Sequence, residues 1–185
     1  MYPTAMLNSS SQSSWHQPEG SSDLVSQAVL MYSAIILKGK LKRALSFLTR
    51  RSIRLVDLGT VMSSMRMRNQ HYAGLESVKI DSIKGSEGKV GDFDNAFNPV
   101  HERTRGRWLS VARARLAGEE LPPVELIQVD QIYFVRDGHH RISVAKALGE
   151  KYVDAEVIKW EVQPPDLKKQ LSFATPEIRL AGQCL

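Results

Sequence analysis

The chain has 185 residues, of which 42% are hydrophobic and 24% charged, and it carries a formal net charge of +5. Length and composition suit one globular domain with additions and exclude a chain that is disordered throughout. The single cysteine, Cys184, excludes a disulfide framework and a cysteine-built zinc site, and suits a reducing, cytoplasmic setting.

Taken in chain order, residues 1–22, rich in serine, glutamine and proline, have no apolar periodicity and read as a disordered tail. From there to residue 75 the sequence predicts a basic helical extension. Asp23 is a candidate N-cap, and Leu24, Ala28, Tyr32 and Ile35 recur at helical spacing up to an interruption at Gly39. "KLKRALSFLTRR" resumes the pattern as a basic amphipathic helix, with Leu41, Leu45 and Leu48 on one stripe. The apolar run Ala28–Leu37 is ten residues with a serine inside, against about 20 needed to cross a bilayer, so no membrane span is expected. No basic leader precedes it, and no export is expected.

Residues 1–75 hold nine Lys/Arg against three Asp/Glu, whereas residues 76–160 hold thirteen against fourteen. A basic leading segment suits nucleic acid, acidic lipid or an acidic partner; a solvated helix face accounts for it equally well.

Residues 55–75 show no clear period. "SVKIDSI" from Ser77 alternates as a strand does, and a Gly/Asp/Asn/Pro-rich loop runs on to Pro99. "HERTRGRWLSVARARLAG" then predicts a helix with Leu109, Ala112 and Leu116 on one face, stopping at Gly118. "VELIQV", "QIYFVR" and "YVDAEVIKW" read as strands, the first two joined by a tight turn at Asp130. Between the last two lies a helix whose Val144, Ala147 and Leu148 can face the sheet and which ends at Gly149. The order strand, loop, helix, strand, strand, helix, strand indicates an α+β layer structure over 76–160, with 161–185 as a C-terminal tail.

The turn "RDGHHR" delivers a strand into a helix start, where the first N–H groups lack partners and the helix dipole favours an anion. Gly138 admits close approach of a ligand, and the fork of Arg141 suits phosphate. The same residues also make an ordinary helix start with Asp137 as N-cap.

The span Ser77–Trp160 resembles the ParB/sulfiredoxin-like superfamily. Gly138, Arg141 and Ala145 fall where that family has its Gly-x-x-Arg-x-x-x-Ala nucleotide box, with strands on either side. The resemblance implies a small mixed sheet with helices, preceded here by the N-terminal helical extension. Sulfiredoxins carry a cysteine where this chain has His139, and partition-type ParB proteins continue into a DNA-reading domain, for which only 25 residues remain after Trp160.

The free serine kinase branch is similar at "DGHH". That likeness implies nucleotide binding through Gly138, His139, His140 and Arg141, with ATP or ADP ahead of CTP. It further implies Mg²⁺ held by Asp137, catalytic roles for Asp137 and His140, and Glu102 as base on a small hydroxyl compound. Kinase or nucleotidase activity follows as the expectation. Trp160 is a candidate pocket wall.

The rival expectation is a DNA-binding or protein-interaction module. Its contacts would be Lys42, Arg43, Arg50, Arg51, Arg103, Arg105 and Arg107, with Trp108 stacking on a base and the nucleotide site regulatory or vestigial. A homodimer through helix 24–50 is the third option.

Overall fold

The computed structural model describes residues 20–49 and 53–163. Most of the tail at 1–22, Arg50, Arg51, and the C-terminal tail from 164 onward lie outside the described residues.

A helix, α1, runs unbroken over Gly20–Thr49. Next come β1 (Val56–Asp57), α2 (Leu58–Ser63), β2 (Arg66–Lys79) and β3 (Ile83–Ser86). After a long loop the chain continues as α3 (Arg105–Leu116), β4 (Val124–Val129), β5 (Ile132–Asp137), α4 (His139–Ala147) and β6 (Tyr152–Gln163). The strands form one mixed sheet in the order β1-β3-β5-β4-β6-β2. The expected α+β architecture, a small mixed sheet with helices behind an N-terminal helix, holds.

Three departures from the sequence reading have physical causes. Gly39 does not interrupt α1. It is buried where the helix crosses the loop, and a Cβ there would stand 3.3 Å from that of Asn98, so glycine serves as the crossing point. The extension proposed for 23–75 is helical only as far as α1 and the short α2. Residues 66–79 instead pair antiparallel with β6, from Arg66 opposite Gln163 to Lys79 opposite Tyr152. Their lack of period follows from their place: β2 is an edge strand, nearly all exposed over its first half, so no buried face imposes alternation. The strand expected over 77–83 is therefore the end of β2, followed by a 3-10 turn at Ile80–Ser82 and then β3.

β4 and β5 form the expected hairpin, Val129 opposite Ile132, with Asp130 left-handed at φ 54°. Aspartate is among the few residues with a side chain that accept this conformation readily.

The main core lies between sheet and α4, where Ile142 and Ala145 meet Val78, Val124, Leu126, Val135 and Val157. Val144 turns the other way, and Ala147 and Leu148 are exposed, so the sheet-facing stripe of α4 is Ile142/Ala145. A second cluster joins the helices through Ala28, Tyr32 and Ile35 of α1, Trp108 and Ala112 of α3, and Val144 of α4. Trp108 donates its indole N–H to Ser143 Oγ at 2.9 Å and packs against Tyr32 with ring centroids 5.3 Å apart. It is fully buried and cannot stack on a nucleic-acid base. Trp160 packs partly buried against the third cluster, formed by Leu58, Ile127, Val129 and Phe134.

Candidate functional site

The end of β5 and the start of α4 carry the "DGHHR" residues. The N-cap is Gly138, not Asp137: it adopts φ 97°, the left-handed region, and no side chain caps the helix. A Cβ at Gly138 would come within 2.5 Å of Val124 Cγ1, so the backbone here is pressed against β4. The helix start thus keeps its leading N–H groups without a side-chain acceptor, which concentrates positive potential at this corner.

The long loop after β3 closes over the corner. Asp94, buried, organises that loop by accepting from the backbone N–H groups of Ala96 and Asn98 at 2.8 and 3.0 Å and from Asn98 Nδ2 at 2.8 Å. So anchored, the loop places Phe93 against both histidines, stacked on His139 at 5.8 Å and edge-on to His140 at 5.2 Å. His139 is 3% exposed, and its Nε2 shares a 2.6 Å hydrogen bond with Ser86 Oγ at the end of β3. The Nδ1 atoms of both His139 and His140 are buried and without a partner among the described residues.

Burial pushes both imidazoles down to about 4. Lys89 then adds to the effect at His139, and Arg107 followed by Lys89 at His140. The rings are therefore neutral near pH 7, His139 with one cation bearing on it and His140 with two from separate elements. At Asp137 burial acts upward, but the Gly138 N–H together with Arg141, Lys89 and Arg107 outweigh it and hold the carboxyl below its ordinary range.

This carries a prediction with a definite sign. An imidazole of pKa 6.5 when unfolded and about 4 when folded binds more protons in the unfolded state between those values. Stability is full above about pH 6.5 and falls as the pH drops toward 4, by on the order of 2–4 kcal/mol for the two rings together. Urea unfolding followed from about pH 7 down to 4.5 should show this decline, and His140→Gln should reduce it by about half, the share of His139 remaining. A pH-independent midpoint would mean that the rings are not buried as described.

Arg141 does not reach outward as the sequence reading expects. Its Nη1 donates to the carbonyls of Pro122 and Pro123 at 2.5 and 2.7 Å, and its Nη2 to Asp137 Oδ2 at 2.5 Å. The guanidinium is a latch between the lead-in to β4 and the start of α4, holding the two proline carbonyls and the Asp137 carboxylate together. On its far flank lies a cavity of about 250 Å³, lined among others by Arg115, Pro122, Arg141, Glu150 and Asp154.

Glu102 occupies an exposed 3-10 turn before α3. Burial first, and then its charge, hold the Tyr32 hydroxyl above its ordinary value, which places Glu102 toward α1. The carboxylate whose charge bears on both histidines, besides Asp137, is Asp92, itself bound by Arg103. Among the described residues no group of three His, Cys, Asp or Glu side chains could hold a metal ion. Asp137 gives one oxygen to Arg141, so the side chains suit a phosphate that brings its own Mg²⁺ better than a metal held by the protein alone.

Among the described cations of the DNA-binding alternative, four have partners on the domain or are partly buried in it, while Arg103, Arg105 and Arg107 remain exposed. Lys42 donates to Asn95 Oδ1 at 2.5 Å, Arg43 is half-buried, Arg103 pairs with Asp92, and Arg105 lies over the Tyr32 ring at 5.9 Å. The charge of Arg107 bears on His140 and Asp137.

Sequence reasoning missed Ser86, Lys89, Asp92 and Phe93. The only available signal was the polar loop "GSEGKVGDFDN", whose single phenylalanine among Gly and Asp marks a loop folded back on a core.

No family model matches the chain, and no curated protein does. Among solved structures it is similar to the crystal structure of sulfiredoxin from Arabidopsis thaliana. That likeness has 15% identity and a TM-score of 0.32, and covers 54% of this chain and 93% of that one. So loose an overlap transfers neither site nor activity to this chain.

Proposed function

We propose that the start of α4 binds the phosphate of a nucleotide, ATP or ADP ahead of CTP. What supports this is a helix start opened by left-handed Gly138 with no side-chain cap, beside buried His139 and half-buried His140, with the charge of exposed Lys89 bearing on both rings and that of exposed Arg107 on His140. An anion placed there meets backbone N–H groups, two cations and, through His140, a hydrogen-bonding ring. Lys89 and Arg107 take the part the sequence reading gave to Arg141.

Phosphoryl transfer to a small hydroxyl compound is the activity we propose for this site. It requires neutralised phosphate charge, which Lys89, Arg107 and the Mg²⁺ accompanying the nucleotide supply, and a base for the acceptor hydroxyl. Glu102 is the proposed base, as the likeness at "DGHH" implies, although its side chain lies toward Tyr32 of α1 and Asp92 is the carboxylate beside the histidines.

Calorimetric titration with ADP, ATP, CTP and pyrophosphate, each with Mg²⁺, tests the reading. Binding should raise the histidine pKa values, so near pH 6 the measured enthalpy should vary with the ionisation heat of the buffer as protons are taken up. Lys89→Ala with Arg107→Ala should weaken binding by roughly 10- to 100-fold, as loss of two charge-assisted contacts does. Absence of binding by the wild type, or equal binding by the double variant, rejects the site. In the same series Glu102→Gln should spare binding and remove turnover.

A further inference from the structure

α1 has two apolar stripes on opposite sides. Ala28, Tyr32 and Ile35 are buried against Trp108 and Ala112. Leu30, Leu37, Leu41, Leu45 and Leu48 point away from the domain, each between 59% and 78% exposed, with Phe47 exposed beside them. At 3.6 residues per turn these leucines fall on one line along the helix. The expected basic amphipathic helix therefore exists, but the stripe named for it faces outward while Lys42 and Arg43 turn toward the loop and Gly39.

Charge narrows the occupant. Between Asp23 and Asp57 the chain carries seven Lys/Arg and no Asp/Glu. Lys38 and Lys40, both exposed, border the leucine line at about 80° to either side. An apolar line edged by cations on both flanks matches a surface that is apolar and anionic at once. A second copy of α1 would match the leucines but bring lysines together with no acid to answer them. DNA would answer the lysines and leave the leucines in water. Ser22–Leu48 is long and apolar enough to cross a membrane by length and composition, unlike the ten-residue run considered from sequence. Crossing, however, would strip Ala28, Tyr32 and Ile35 from Trp108.

We propose that α1 lies flat on an anionic lipid surface, the leucine line entering the acyl boundary and Lys38 and Lys40 meeting the headgroups. The domain then hangs from the opposite side of the helix. The proposal is independent of the nucleotide reading.

Cosedimentation of the full chain with phosphatidylcholine vesicles, with and without about 30 mol% phosphatidylglycerol, tests it. Binding should require the anionic lipid and weaken at least about tenfold between about 50 and 500 mM NaCl. Leu37→Glu with Leu41→Glu should abolish partitioning without lowering the melting temperature, since both side chains are exposed. Lys38→Gln with Lys40→Gln should weaken it on the order of 20-fold. No partitioning onto anionic vesicles, or partitioning indifferent to the leucine variant, overturns the proposal. So does self-association by light scattering that salt strengthens and Leu37→Glu removes, which would assign the stripe to a second copy. Retention on the membrane after an alkaline carbonate wash would overturn it in favour of a spanning helix.

Discussion

Trp108→Ala should lower the free energy of unfolding by about 3–5 kcal/mol, the range for truncating a fully buried aromatic residue. Trp108 is 0% exposed and stands where three helices meet, touching Tyr32 of α1 and Ser143 of α4. Removing the indole leaves a cavity that the surrounding helices close only in part, and it leaves the Ser143 hydroxyl without its donor. Trp108→Phe separates these effects. It keeps most of the packing and loses the hydrogen bond, so about 1–2 kcal/mol is expected. Urea titrations of the three chains supply the numbers. A cost below about 1 kcal/mol for Trp108→Ala would show that α1 and α3 do not rest on this residue. Because α1 is held to the domain through the same cluster, the alanine variant should also loosen the helix, visible as faster amide exchange over Ala28–Ile35.

Gly138→Ala should cost about 2–4 kcal/mol and remove the proposed phosphate binding with it. Two penalties combine. A residue with a Cβ is strained at φ 97°, and that Cβ would lie 2.5 Å from Val124 Cγ1 and 2.8 Å from Val124 Cβ. Gly149 provides the control, with φ 81° but nothing within 4 Å of the added carbon. Gly149→Ala should therefore carry the backbone penalty alone, about 1 kcal/mol, and leave ligand binding intact. The difference between the two variants measures the contact with β4. Equal costs would mean that the turn yields freely and that the close approach of backbone to Val124 has no energetic weight. Relief of the clash by Gly138→Ala with Val124→Ala should restore part of the stability but not the geometry of the leading N–H groups, since the left-handed strain persists.

Much of the fold is legible in the residues because it rests on local pattern. The run of elements from α3 to β6 follows from the helical spacing of Leu109, Ala112 and Leu116, the β-branched strands, and the stops at Gly118 and Gly149. β2 escaped because its first half faces water on both sides and its partner β6 lies some eighty positions away. At the site, the helix start and its two histidines can be seen in "DGHHR", while the burial that sets their charge state and the charges that add to it come from other elements. Lys89 and Asp92 sit on a loop whose shape depends on Asp94 binding its own backbone, and Arg107 belongs to α3.

By itself the sequence determined a mixed α/β domain behind a basic N-terminal helical segment, and a glycine turn opening α4; that Gly39 leaves α1 unbroken came from the structure. These depend on spacing within one or two turns of chain, which the residues state directly. Only the tertiary structure decided which stripe of α1 is buried and that Arg141 latches Pro122 and Pro123. It also decided that the charge of Lys89 bears on both histidines and that of Arg107 on His140. A helix with apolar residues on two sides has no local preference between them, and a guanidinium binds whichever carbonyls or anions packing brings within its reach.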